Sequence, residues 1–221
     1  MSVPPCAIAA MLPDLVLVDL KAELAEAAAA AGWSGVTVMA RTDMRDVPLL
    51  PGTAFLSPAN SLGFMDGGVD MVYSREMFPG VEGRVKAAIE ALGRQSALGR
   101  FYLNIGEAVT VPTQHDGVWL IAAPTMYLPQ NVCGTKNAYH AMRAALSEAR
   151  RLAERGVRRL VTPGLCTGVG GMPAAEAVAQ MAAAHRDALA GLPSRYDPDD
   201  TTGEQPRVYA NTEFKVIDFL G

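Results

Sequence analysis

Twice along the chain a short apolar run stops abruptly in a loop built on glycine, and this pairing limits the fold more than any other feature. Thr53-Ala54-Phe55-Leu56 breaks at Pro58 into a polar loop with Asn60 and Asp70 on either side of Gly67-Gly68. Leu160-Val161-Thr162 empties after Pro163 into a loop with glycines at 164, 168, 170 and 171. A buried strand delivering a glycine loop is a unit of open α/β sheets, which take ligands beyond the carboxyl ends of their strands. Two such units predict two walls of one cleft.

The segments around them alternate in the same way. Leu15-Val16-Leu17-Val18 reads as a buried strand, Lys21 to Ala31 as an Ala/Glu-rich helix stopped by Gly32, and Val36 to Met39 as a second strand. The connection from Arg41 to Gly52 is punctuated by Pro48 and Pro51 and carries Asp46. Val69 to Phe78 begins a helix, Pro79-Gly80 breaks it, and Val81 to Leu98 places Val81, Val85, Ala88, Ile89 and Leu92 at helical spacing. Glu107 to Val111 and Val118 to Ala122 read as consecutive strands of an antiparallel hairpin. Lys136 to Arg155 is a long amphipathic helix ending at Gly156, Val157 to Thr162 returns to the sheet, and Pro173 to Leu189 forms the next helix with its proline in the first turn. Pro193 to Pro206 reads as a surface excursion before a strand-like piece, Lys215 to Leu220. The expected fold is a three-layer α/β/α sandwich with a mixed central sheet. With neither repeat nor linker, the expected organisation is one domain over 1–221: a core at 36–190, an N-terminal strand and helix within 1–35, and a tail at 193–221.

Composition excludes several classes. A chain of 221 residues, half apolar and 19% charged, can bury a substantial core. The net charge of −4 argues against a broad nucleic-acid surface. Cys6, Cys133 and Cys166 are an odd number without ligand spacing, so neither a disulfide framework nor a zinc site is expected, and a reducing cytoplasm is the natural compartment. No apolar stretch is long enough to span a membrane, and the N-terminal stretch, interrupted by Pro4, Pro5, Pro13 and Asp14, does not read as a signal peptide. The methionines read as packing residues; no metal or cofactor is expected.

The chemistry lies in the loops. A phosphate needs backbone N–H groups around a concavity, glycines that allow close approach, and preferably a helix N-terminus behind them. Gly164 to Gly171, followed by the helix at Pro173, supplies all three; a structural turn is the plain alternative. No Lys or Arg occurs between Arg159 and Arg186, so a neutral cradle for a diphosphate fits better than a nucleotide-triphosphate loop.

Ser57-Pro58-Ala59-Asn60, followed by Gly67-Gly68-Val69-Asp70, resembles the paired signature of the macro domains, Asn-Ala-Ala-Asn and Gly-Gly-Val-Asp, with Ser57 in place of the first Asn. Thr162 to Pro173 is similar to that family's second loop. The resemblance implies an ADP-ribose cleft. Asp46 would accept from the adenine amino group, and Asn60 would bond the distal ribose. Asp70 would orient or deprotonate a water in hydrolytic members. Gly67, Gly68 and Val69 would bind the distal ribose and a phosphate through backbone N–H groups. Cys166, Thr167, Gly168, Val169, Gly170 and Gly171 would form the diphosphate loop. Read without the family, Asn60 is an Asx-turn residue, Asp70 a helix N-cap, Asp46 a turn carboxylate and Cys166 a small packing residue. The sequence departs from the pattern at Gly170, where the family has an aromatic that Phe64, Phe78 or Tyr127 would have to replace. Phe64-Met65-Asp66 stands in place of Leu-Gly-Gly, and Ser74 in place of His. The implied function is binding of ADP-ribose with hydrolysis of ADP-ribosyl or O-acyl-ADP-ribose esters, an ADP-ribosylated protein being one implied partner. A noncatalytic binding module and a scaffold without ligand are the alternatives.

Overall fold

The computed structural model describes residues 12–192; the expectations for the tail from Pro193 to Leu220, and Cys6, lie outside the described residues. Six strands form one sheet: β1 (Asp14–Asp19), β2 (Val36–Ala40), β3 (Thr53–Ser57), β4 (Val109–Pro112), β5 (Val118–Ala122) and β6 (Arg159–Thr162), in the order β2-β1-β6-β3-β5-β4. All neighbours are parallel except β4, which lies antiparallel to β5 with Val109 opposite Ala122. The sheet is therefore mixed, with the antiparallel hairpin as expected, and the structure puts it at one edge.

The strands read as unbroken apolar runs because both faces of the sheet are covered. Leu15, Leu17, Ala54, Leu56, Ile121 and Leu160 enter one core cluster. Their neighbours Val16, Val18, Phe55, Leu120, Ala122 and Val161 enter the other, as the two-residue strand period requires. The first cluster is roofed by helices α1 (Glu23–Ala30), α4 (Asn137–Arg151) and α5 (Ala174–Leu189). The second is closed by α2 (Gly68–Val72) and α3 (Val81–Glu90). These layers make the α/β/α sandwich.

Two segments depart from the sequence expectation. The helix expected from Val81 to Leu98 stops at Glu90, because Gly93 takes φ +70° and its N–H closes on the Glu90 carbonyl at 2.9 Å. Gln95 then pairs with Phe101, while Leu92 and Leu98 remain 51% and 76% exposed. Apolar spacing had suggested a helix where no surface exists to bury it. The helix after the Gly-Gly loop changes pitch, with α2 running into a π-helical turn at Tyr73–Met77 closed by Phe78 N–H to Tyr73 O at 2.7 Å. That turn sends Tyr73 and Phe78 into the core, where both meet the ring of Phe55 edge-on.

Candidate functional site

The loops that follow the carboxyl ends of the five parallel strands converge on a cleft of about 510 Å³, while edge strand β4 contributes nothing to it. Asp19 closes β1, and Asp43 and Arg45 arrive after β2, Asn60 and Gly67 to Asp70 after β3, Thr125 after β5, and Cys166 to Gly170 after β6. Its position and size are those of a ligand site in an open α/β sheet.

Asp70 is a strongly perturbed group in its lining. Helix α2 begins at Gly68 with Gly67 as its N-cap, so Asp70 is the third helical residue and its side chain does not cap the helix. Its Oδ1 accepts instead from the Ser57 hydroxyl at the end of β3, at 2.6 Å. Burial pushes the carboxyl up to about 7, the Ser57 hydrogen bond opposes that rise, and the charges of Asp66 and Glu82 add to it. A carboxyl that exchanges its proton near neutrality, beside a cleft, suits general acid or base work.

Asn60 lines the same cleft and is 9% exposed. Its Oδ1 accepts from the N–H groups of Leu62 (3.1 Å) and Phe64 (3.3 Å), so the Asx turn is real. With the oxygen occupied, its NH2 is the group it can offer a ligand.

The second glycine loop lines the same cleft. Thr167, Gly168, Val169 and Gly170 line the cleft, whereas Gly171 lies outside the lining. Cys166 adopts the left-handed φ of +64° and is 4% exposed. Burial pushes its thiol up to about 12, against a hydrogen bond with Thr125 that lowers it, so Cys166 is a neutral packing residue. A Cβ at Gly170 would stand 2.5 Å from the Cys166 carbonyl oxygen and 2.9 Å from Val132 Cγ2. The loop thus folds so tightly that no aromatic fits there. Of the three rings that could substitute, Phe78 is wholly buried in the core and Tyr127 is not in the lining. Phe64 is in the lining, with Lys86 Nζ 4.1 Å from its ring centroid.

Asp46 does not reach the cleft. Asp46 is exposed and outside the lining, because the 3-10 turn Met44–Asp46 points Asp43 at the cleft instead. Asp43 caps that turn and accepts from Arg45 Nε at 2.9 Å and from its second guanidinium nitrogen at 2.6 Å, which hold the carboxyl down near 2. Arg45 also reaches Glu76 at 3.1 Å and is the one Lys or Arg among the described lining residues, against Asp19, Asp43, Asp66 and Asp70. An anion here would be held chiefly by backbone N–H groups. Sequence reasoning noted Ser57 only as a replacement and passed over Asp19, Asp43 and Thr125. A second aspartate three residues before Asp46 was the available signal for Asp43.

The Macro domain family model matches residues 56–181, more than half of the chain and both glycine loops. The chain belongs to the macro domain family. An uncharacterised protein of Aeropyrum pernix is 32% identical over 179 residues, covering 80% of this macro domain and 85% of that relative. Among solved structures, the macrodomain of Mycobacterium tuberculosis DarG is similar at TM-score 0.48 and 19% identity, over 63% of this chain and 85% of that one. Thermosipho africanus DarTG in complex with ADP-ribose is similar at TM-score 0.46 and 15% identity, over 72% of this chain and 46% of that one. Among the described residues of this macro domain, no helix is long and apolar enough to cross a membrane, and no group of three or more His, Cys, Asp or Glu gathers to hold a metal ion.

Proposed function

We propose that the cleft binds ADP-ribose and that the domain hydrolyses ADP-ribosyl or O-acyl-ADP-ribose esters, with Asp70 as the base. The observation that carries this reading is the convergence of Asn60 and Asp70 on the one cleft that the Thr167 to Gly170 loop also lines. Binding is supported by membership of a family of ADP-ribose binders. For an ester carried on the anomeric oxygen, Asp70 takes a proton from water as the water oxygen bonds to the anomeric carbon of the distal ribose. The bond from that carbon to the ester oxygen breaks, the carboxylate leaves with the electron pair, and Asp70 later returns its proton to solvent. Asn60 orients the distal ribose through its NH2, Phe64 supplies the apolar wall that Gly170 lacks, and Asp43 takes the adenine role that the family resemblance implied for Asp46. The altered loops, with Phe64 and Asp66 in the lining and no room for an aromatic at Gly170, favour a second reading, a noncatalytic ADP-ribose binder. Both readings fit the cytoplasm, where Cys133 and Cys166 would stay as the free thiols they are here.

Incubation of wild type, Asp70→Ala and Asn60→Ala with O-acetyl-ADP-ribose and with a peptide carrying ADP-ribosyl-glutamate tests the proposal. The expected result is turnover by the wild type and a loss of about a hundredfold or more in correctly folded Asp70→Ala, the lower range for a positioned acid or base. Undiminished turnover in Asp70→Ala would refute the mechanism. Binding without turnover on either substrate would establish the second reading.

A further inference from the structure

We propose that Ser57 is a positioning residue for Asp70, pinning one carboxylate oxygen and leaving the other to take a proton from water. The inference rests on the hydrolase reading. Ser57 is outside the cleft lining and wholly buried, so it acts through Asp70 rather than on substrate.

Both partners of the 2.6 Å bond are held from behind. Ser57 closes β3, a strand paired on both sides, with Ala122 of β5 in register beside it and its own carbonyl accepting from Ala123 N–H at 3.0 Å. Asp70 lies on α2, and the π-helical turn that follows is tied to the same strand by the Tyr73 hydroxyl, which donates to the Leu56 carbonyl at 3.3 Å. Tyr73 is wholly buried and packs between strand and helix against Phe55 and Phe78. A hydroxyl on a central strand and a carboxylate on an anchored helix are thereby fixed in one geometry, the kind of support a catalytic group needs.

The groups facing Asp70 give the bond its consequence. Asp66 from the loop before α2 and Glu82 from α3 act against the carboxylate, as does burial, and the neighbouring Tyr73 phenol is itself held neutral well above its usual range. The Ser57 hydroxyl acts in the other direction, because a hydrogen bond to the ionised form favours that form. Without it the balance shifts toward the protonated form, which cannot serve as a base.

The test compares wild type, Ser57→Ala and Ser57→Thr by the pH dependence of O-acetyl-ADP-ribose hydrolysis, by ADP-ribose affinity, and by a ¹³C-carboxyl NMR titration of Asp70. A hydrogen bond to a charged group is worth about one to two pH units of midpoint. In Ser57→Ala the acid limb of kcat and the NMR titration should move up together by that amount, with KM and ADP-ribose affinity within about twofold of wild type. Ser57→Thr, which keeps the hydroxyl, should restore both. Turnover with an unmoved acid limb and titration would overturn the role of Ser57 while leaving the hydrolase reading in place. No turnover in the wild type, with the NMR titration still displaced, would overturn the hydrolase reading and the catalytic role of Ser57 with it.

Discussion

Replacing Asp70 by Asn should make the protein more stable above neutral pH. The carboxyl titrates near 3.8 in the unfolded chain and near 7 in the fold, with burial the largest cause. A group whose folded value is raised contributes its stability fully below the unfolded value and loses it as pH rises through the folded one. The window therefore runs from about pH 4 to about pH 7, and the span of roughly three units is worth about 4 kcal/mol at about 1.4 kcal/mol per unit. Asn keeps an oxygen for the Ser57 hydroxyl and carries no charge to desolvate. Urea denaturation of wild type and Asp70→Asn from pH 4.5 to 8.5 reads the effect directly. The two curves should converge toward the acid end, with the variant ahead by a few kcal/mol at pH 8. A pH-independent difference, or a wild type that is the more stable at pH 8, would refute the placement of a desolvated carboxylate in this cleft. Stability given up at a residue that lowers activity when replaced is a common mark of a working site.

Two other perturbations probe the loops. Gly170→Ala should destabilise the fold by about 1–3 kcal/mol in the same assay, as expected for overpacking, because its Cβ would press on the Cys166 carbonyl at 2.5 Å; a neutral effect would show that the loop opens readily. Asp66→Asn should tighten ADP-ribose binding about threefold at low ionic strength, since a unit charge about 6 Å from a phosphate costs about 0.7 kcal/mol in a water-like dielectric. That gain should fade with added salt, and a salt-independent change would argue against a through-space origin.

Much of this fold was legible because local and tertiary signals agree. Leu15 to Val18 and Leu160 to Thr162 read as strands since two-sided burial leaves them continuously apolar. Ala-rich α5 and amphipathic α4 read as helices for a similar reason. Leu92 and Leu98 misled, because helical spacing does not reveal whether a face has a partner to bury against. The π-helical turn at Tyr73–Met77 has no local signature; the packing of Tyr73 and Phe78 around Phe55 accompanies it. The glycine loops pointed to Asn60, Gly67 to Val69, Asp70 and Thr167 to Gly170, all of which line the cleft. The family resemblance pointed to Asp46, whereas the 3-10 turn determines which carboxylate faces inward, and it is Asp43. The Ser57 bond to Asp70 spans thirteen residues and joins a strand to a helix, so it emerged only once β3 and α2 were packed together.

The central claim is that this cleft is built for ADP-ribose. Calorimetric titration of the purified protein with ADP-ribose, at several temperatures and alongside Asn60→Ala and Asp43→Ala, tests it most directly. The account predicts binding in the micromolar range, about −8 kcal/mol, weakened by both substitutions and untouched by Asp46→Ala. No binding heat at any temperature, or loss of affinity in Asp46→Ala with Asp43→Ala unaffected, would contradict it.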